Sequence, residues 1–331
     1  MDDTTLRSAE MTTAFYTHPD SLRHEMGRGH PECPERIKAI EAKMESSGLN
    51  AHVMRRTAPE ATLDQLALAH TASHVQETFD AAMDLVEQFE GNGLRYLPLD
   101  PDTTLNPYSW GATTGAAGAV IAATDAVMKG SAAGGCDNAF CAVRPPGHHA
   151  TRGRSMGFCF FNQVAIGVKY VMEAYGLTRV AVVDFDVHHG NGTEDILSGD
   201  ERVMMCGIFQ HPFYPHSGTG MVAANMHNIP IAARTKGADI CQAIKDGWLP
   251  ELDAFKPEII FISAGFDAHK DDDLGQLGMT EADYVWITKE LMKIADKHCK
   301  GRIVSSLEGG YNLNALANSV AAHVEALTGM V

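Results

Sequence analysis

The chain repeats one figure: a short run of apolar or β-branched residues ends, and histidines, aspartates, glycines or a tyrosine come straight after it. RPPGHH comes after residues 139–143, DFDVHHGN closes 179–185, SAGFDAH stands at the end of 258–263, and LEGGYN at the end of 302–307. Two further runs lie at 12–16 and 202–208. Between the runs, segments 35–44, 108–128, 162–175, 238–252, 281–297 and 313–327 carry apolar residues at helical spacing. Strands alternating with helices predict βαβ units and a mostly parallel sheet covered on both faces. In such α/β sheets the ligand crevice lies beyond the carboxyl ends of the strands. Four separate loops are thereby expected to converge on one place, which marks a site more strongly than any single motif.

At 331 residues and 45% hydrophobic content the chain can bury a large core. No repeat, low-complexity tract or linker-like stretch interrupts it, so one domain over residues 1–331 is expected. The net charge of −16 argues against partners of the same sign, nucleic acid and anionic membranes, and favours encounter with cationic substrates. The opening MDDTTLRSAEMTTAFYTHPD lacks the basic and apolar regions of a signal peptide, and no run approaches the roughly 18 to 20 apolar residues of a membrane span. A cytoplasmic protein is expected. Its seven scattered cysteines include no CxxC pair and read as reduced thiols, several packed as small hydrophobes.

In Asp184-Phe-Asp186-Val-His188, residues spaced by two share one side of an extended segment, so two carboxylates and an imidazole would face a common point. That suits a cation. A catalytic zinc takes three protein ligands and keeps one position open; Asp186 and His188 supply two, and Asp267, at an equivalent strand end, is the natural third. A lone Asp-x-His is more often a turn cap, so the metal reading leans on Asp267.

The tandem His148-His149 follows Pro145-Pro146-Gly147, whose prolines stiffen the loop and whose glycine admits unusual backbone angles. One neutral imidazole can take a proton from water on the metal, and the other can stabilise charge or protonate a leaving amine. Asp184 and Asn191 are available to fix their tautomers. A carboxylate raises the basicity of its histidine while an amide only orients it, so the histidine facing Asn191 is the expected base. Tyr311 follows Glu308-Gly309-Gly310, a flexible approach that would let a phenol swing over the metal and donate to a developing oxyanion.

The ordered set HPECPERI (30–37), DPDT (100–103), RPPGHHA (144–150), GFCFFN (157–162), DFDVHHGNGT (184–193), SAGFDAH (263–269), DLGQLGMT (273–280) and LEGGYN (307–312) resembles the histone deacetylase and acetylpolyamine amidohydrolase family, its class II and bacterial branch above all. The resemblance implies the arginase/deacetylase fold, an α/β/α three-layer architecture with a central parallel sheet of about eight strands. It implies zinc, one ion per chain, on Asp186, His188 and Asp267. His149 is then the general base and acid, His148 its electrostatic partner bonded to Asp184, and Tyr311 the group that polarises the carbonyl, with Asn191 in the place of a class I aspartate.

Phe158 and Tyr214 resemble the aromatic pair of the acyl-lysine tunnel, and Gly157, Leu274 and Asp102 complete the substrate-binding set. The implied reaction hydrolyses an N-acyl amide, most simply N-acetyl, on acyl-lysine or on a small acylated amine such as an acetylpolyamine. Two departures stand out. Gly207 replaces a serine that helps hold a structural potassium ion beside Asp184, Asp186 and His188, and Leu274 replaces the glutamate gatekeeper of polyamine-selective relatives. A silent binder of acylated ligands, a binuclear manganese ureohydrolase, iron(II) in place of zinc, and homo-oligomerisation stay open on sequence.

Overall fold

The computed structural model describes residues 11–331; residues 1–10, half of the opening stretch MDDTTLRSAEMTTAFYTHPD, lie outside them. The chain runs through β1 (Thr13–Thr17), α1 (Glu35–Ser46), β2 (Val53–Thr57), α2 (Leu63–Leu66), α3 (Ala72–Asn92), β3 (Leu97–Asp100), β4 (Thr103–Leu105), α4 (Ser109–Lys129) and β5 (Asn138–Cys141). It continues through α5 (Gln163–Tyr175), β6 (Val180–Asp184), α6 (Asn191–Leu197), β7 (Val203–Gln210), β8 (Met226–Ile231), α7 (Gly237–Phe255), β9 (Ile259–Ala264), α8 (Glu281–Cys299), β10 (Ile303–Leu307) and α9 (Leu313–Leu327).

Eight strands form one sheet in the order β2-β1-β5-β10-β9-β6-β7-β8, every pair parallel, and β3 and β4 form a separate antiparallel ribbon. The four central strands of the large sheet, β5, β10, β9 and β6, are buried from end to end, as a sheet covered on both faces requires. Alternate side chains then serve two cores. Val180, Val182, Ile259 and Phe261 join the core under α4 and α5, while Ala181, Val183, Ile260 and Ile262 join the core under α1, α7, α8 and α9. This is the expected α/β/α three-layer fold.

The six strands read from residue pattern are all present, within a few residues at their ends. The two that pattern alone does not give are the sheet's edges. β2 is mostly exposed and reads VMRRT; β8 is half-buried and contains Pro230, a residue confined to edges because it donates no ladder hydrogen bond. Edge strands lack the apolar run by which inner strands are recognised. Helix α3 escapes the pattern as well. Its buried stripe is His74, Val75, Thr78, Ala82 and Leu85, and its polar members blur the hydrophobic period. Among the described residues no helix is long and apolar enough to cross a membrane.

Candidate active site

The four chemistry-bearing loops leave the sheet side by side because their strands, β5, β10, β9 and β6, are consecutive neighbours at its centre. Register keeps their ends level: Asp184 pairs with Ser263, and Ala264 with Leu307. The loops open on a cavity of about 270 Å³ lined by His149, His188, Tyr311, Phe158, Tyr214 and Phe213, among others.

At its floor Asp186, His188 and Asp267 each offer one ligand atom, all within 4.8 Å of one another. His188 Nδ1 lies 3.0 Å from Asp186 Oδ1 and 3.2 Å from Asp267 Oδ2. These separations are near the roughly 3.3 Å expected between ligands about 2.0–2.1 Å from a tetrahedral centre. Backbone amides hold the far oxygens: Val187 N–H donates to Asp267 Oδ1 and Gly309 N–H to Asp186 Oδ2, both at 2.9 Å. Asp267 Oδ2 is buried with no directed hydrogen bond, a costly state for a carboxylate oxygen unless a cation covers it.

The electrostatics agree. Burial and the charge of Asp186 push the Asp267 carboxyl up to about 7. Burial would lower His188, but the bond to Asp186 and the adjacent Asp267 carboxylate carry it up to about 10. Two carboxyls and an imidazole crowded out of water hold on to protons in this way where a cation would otherwise balance them, and this donor set fits zinc.

Spacing by two does not act here as the sequence suggests. β6 ends at Asp184, the segment beyond it is irregular, and the two carboxylates part company. Asp184 Oδ2 takes His148 Nδ1 at 3.0 Å, while Asp186 stays with the metal group. The glycines also act otherwise than expected. A Cβ on Gly309 would stand 2.0 Å from Asp267 Oδ2, and one on Gly147 would stand 1.9 Å from Gln163 Oε1. Close approach, rather than a swinging or unusual backbone, explains both, and only Gly310 of the pair before Tyr311 has positive φ.

The paired imidazoles lie 4.0 Å apart between ring centres but have opposite surroundings. Burial would lower His148, yet Asp186 and Asp184 raise it well above the ordinary histidine range. His149 is lowered well below that range by burial and by His148 and His188. Asn191 Oδ1 accepts from His149 Nδ1 at 2.7 Å. An amide oxygen only accepts, so the hydrogen sits on Nδ1 and Nε2 keeps a lone pair.

The predicted substrate-binding residues, Asp102, Gly157, Phe158, Tyr214 and Leu274, all line the cavity. Phe158 adopts φ +68°, an uncommon conformation for a bulky residue and one held by its surroundings. Gly157 N–H donates to Asp102 Oδ1 at 3.1 Å and Phe158 N–H to Thr103 Oγ1 at 3.0 Å, so the β3–β4 turn grips this wall. Tyr214 stands edge-on to His149, 5.1 Å between ring centres.

Several residues of the site escape sequence reasoning. Phe213 stacks on His188 at 5.3 Å, next in the chain to Tyr214. Glu308 Oε2 accepts from the Gly147 and His148 amides at 2.6 and 3.1 Å, and burial lifts its carboxyl to about 7. Arg36 donates to Gly310 O at 2.6 Å and lies over the Tyr311 ring at 4.9 Å. It shares the buried Glu32 with Arg144. The usable signal is Glu32 and Arg36 at an i, i+4 spacing in HPECPERI. His189 Nδ1, bonded to Ser217 Oγ at 2.8 Å, ties the Tyr214 segment to the metal loop.

Residues 30–327 match the histone deacetylase domain. The chain is 37% identical over 96% of its length to type-2 histone deacetylase 2 of Dictyostelium discoideum, of which it spans 21%. It is 33% identical over 91% of its length to the histone deacetylase-like amidohydrolase of Pseudomonas aeruginosa, of which it spans 78%. The crystal structure of the HDA15 HD domain superposes on it with a TM-score of 0.86 at 33% identity, covering 97% of this chain and 89% of the other. With the domain matched across nearly the whole length and the fold shared, the chain belongs to the histone deacetylase family.

Proposed function

We propose that this protein is a zinc-dependent amidohydrolase that converts an N-acyl amide, most simply an N-acetyl amide, to a carboxylate and a free amine. The observation that carries it is one cavity lined by His149, His188 and Tyr311, with Asp186 and Asp267 offering ligand atoms beside His188. Asp186, His188 and Asp267 hold one zinc per chain, and what such an ion supplies when bound is Lewis acidity toward the amide carbonyl and the attacking water.

The chain's own groups do the rest. His149 Nε2, neutral and free to accept, takes the proton of the attacking water and returns it to the departing nitrogen. His148, kept protonated by Asp184 and Asp186, holds positive charge behind it. Tyr311, whose phenol burial raises well above its ordinary range, stays protonated and donates to the oxygen that gains charge.

Asn191 and Asp184 are both committed to histidines, which supports a mononuclear centre over a ureohydrolase pair. The aromatic walls Phe158, Phe213 and Tyr214 suit an apolar methylene stem, hence acyl-lysine or a small acylated amine. Seven unpaired cysteines suit a reducing, cytoplasmic setting, and no nucleic-acid or membrane partner is proposed. A structural potassium ion beside Asp184, Asp186 and His188 belongs to the same proposal. Gly207 gives it no side-chain oxygen, but a Cβ there would lie 3.0 Å from Asn228 Oδ1, which is buried without a partner and takes the missing role.

The test is turnover of acetyl-lysine peptides and N-acetylated polyamines by protein of measured metal content, with and without a hydroxamate chelator. No hydroxamate-sensitive turnover with one zinc bound would sink the reading. A melting temperature indifferent to KCl against choline chloride would remove the potassium ion.

A further inference from the structure

Tyr311 hangs between two grips. Arg36 holds the carbonyls of Glu308 and Gly310 before it, and one carboxylate holds the amides at and after it. Asp272 Oδ2 accepts from Tyr311 N–H at 2.6 Å and from Asn312 N–H at 2.9 Å, while its Oδ1 accepts from Leu274 N–H at 2.9 Å. The side chain is buried, 5% exposed. Both Leu274 and Tyr311 line the cavity, so this single carboxylate bridges a wall of the pocket to the loop that carries the phenol. Asn312, the second residue it holds, is the N-cap of α9, with Oδ1 accepting from Ala315 N–H at 3.0 Å. The phenol is thus referenced to a helix start on one side and to the 271–275 loop on the other.

We infer that Asp272 is a positioning residue that fixes where the Tyr311 hydroxyl stands and acts on catalysis through it. The inference rests on the proposed hydrolase reading. A carboxylate accepting three backbone amides cannot be replaced in full by an amide, which presents one acceptor oxygen and turns two donors toward donors. Displacement of the phenol should then cost turnover, because its bond matters most as charge develops, and should leave substrate binding nearly alone.

The experiment is a double-mutant cycle of Asp272→Asn with Tyr311→Phe, reading kcat, KM, zinc content and melting temperature. The expected result is a kcat loss of roughly tenfold to a hundredfold for Asp272→Asn, with KM and zinc content unchanged, and no further loss when it is added to Tyr311→Phe. A merely structural role would lower the residual rate of Tyr311→Phe by the same factor or strip zinc, and either result overturns the inference. Should Asp272→Asn not fold, Asp272→Ser, smaller and still able to accept, takes its place; failure of both to fold assigns the residue to stability and likewise overturns it. An inactive wild type with zinc bound would instead overturn the hydrolase reading itself.

Discussion

The floor and the rim of the cavity are built on opposite terms. At the floor, Asp186, His188 and Asp267 stand just beyond the ends of central strands, the two carboxylates buried and His188 partly so, with amides of residues 187 and 309 fixing the carboxylates. At the rim, Phe158, Tyr214 and Leu274 ride on loops, partly exposed, and are steadied by side chains: Asp102, Thr103 and His189 from other segments, and Asp272 from within the loop of Leu274. Position at the floor is set by short segments that leave adjacent central strands and are tied to one another by backbone amides, whereas a wall can be rebuilt one loop at a time. On the proposed reading, chemistry belongs to the floor and discrimination between substrates to the rim.

The sharpest way to break this division is to remove a floor ligand. Asp267→Ala should abolish measurable turnover and lower the zinc found per chain by elemental analysis, because two ligands remain and His188 loses one of its two carboxylate neighbours. A variant with full zinc would remove Asp267 from the ligand set. Next in size is Tyr311→Phe, expected to lower kcat by roughly a hundredfold to a thousandfold, the scale of an oxyanion donor, while zinc content and KM stay put. Turnover near wild type would place the phenol outside the chemistry.

The same division explains which parts of the molecule are legible in its sequence. Inner strands announce themselves as apolar runs, and the residues after them, Asp186, His188, His149, Asp267 and Tyr311, follow from that punctuation. The edges β2 and β8 carry Arg55, Arg56 and Pro230, which no strand pattern contains. Phe213 and Glu308 lie within or beside recognisable motifs, yet nothing in their spacing marks the contacts they make. Arg36 and Asp272 act on Tyr311 from 275 and 39 positions away, a relation carried by topology alone. The glycines mislead for a related reason: sequence shows that Gly309 has no Cβ, and only the fold shows which atoms would meet one.

A wall residue should give a different signature. Phe158→Ala should raise KM for an acetyl-lysine peptide about tenfold, the worth of an aromatic wall stripped from an apolar stem, with kcat within a few-fold and zinc unchanged. If kcat fell while KM held, the wall would share in the chemistry and the division would fail at that residue.

The smallest effect expected is electrostatic. Asp273 is exposed at the lip of the cavity, beyond the floor and outside the hydrogen bonds that Asp272 makes. Its carboxylate can draw a cationic substrate inward but cannot touch the reacting amide. Asp273→Asn should therefore raise KM for a lysine-rich peptide by a few-fold at low ionic strength and leave a neutral acetyl-lysine reporter unaffected. The difference should vanish in about 0.5 M salt, where the screening length falls to a few ångströms. Steady-state kinetics across a salt series decides it: a deficit that persists at high salt would mean that Asp273 shapes the rim rather than charging it.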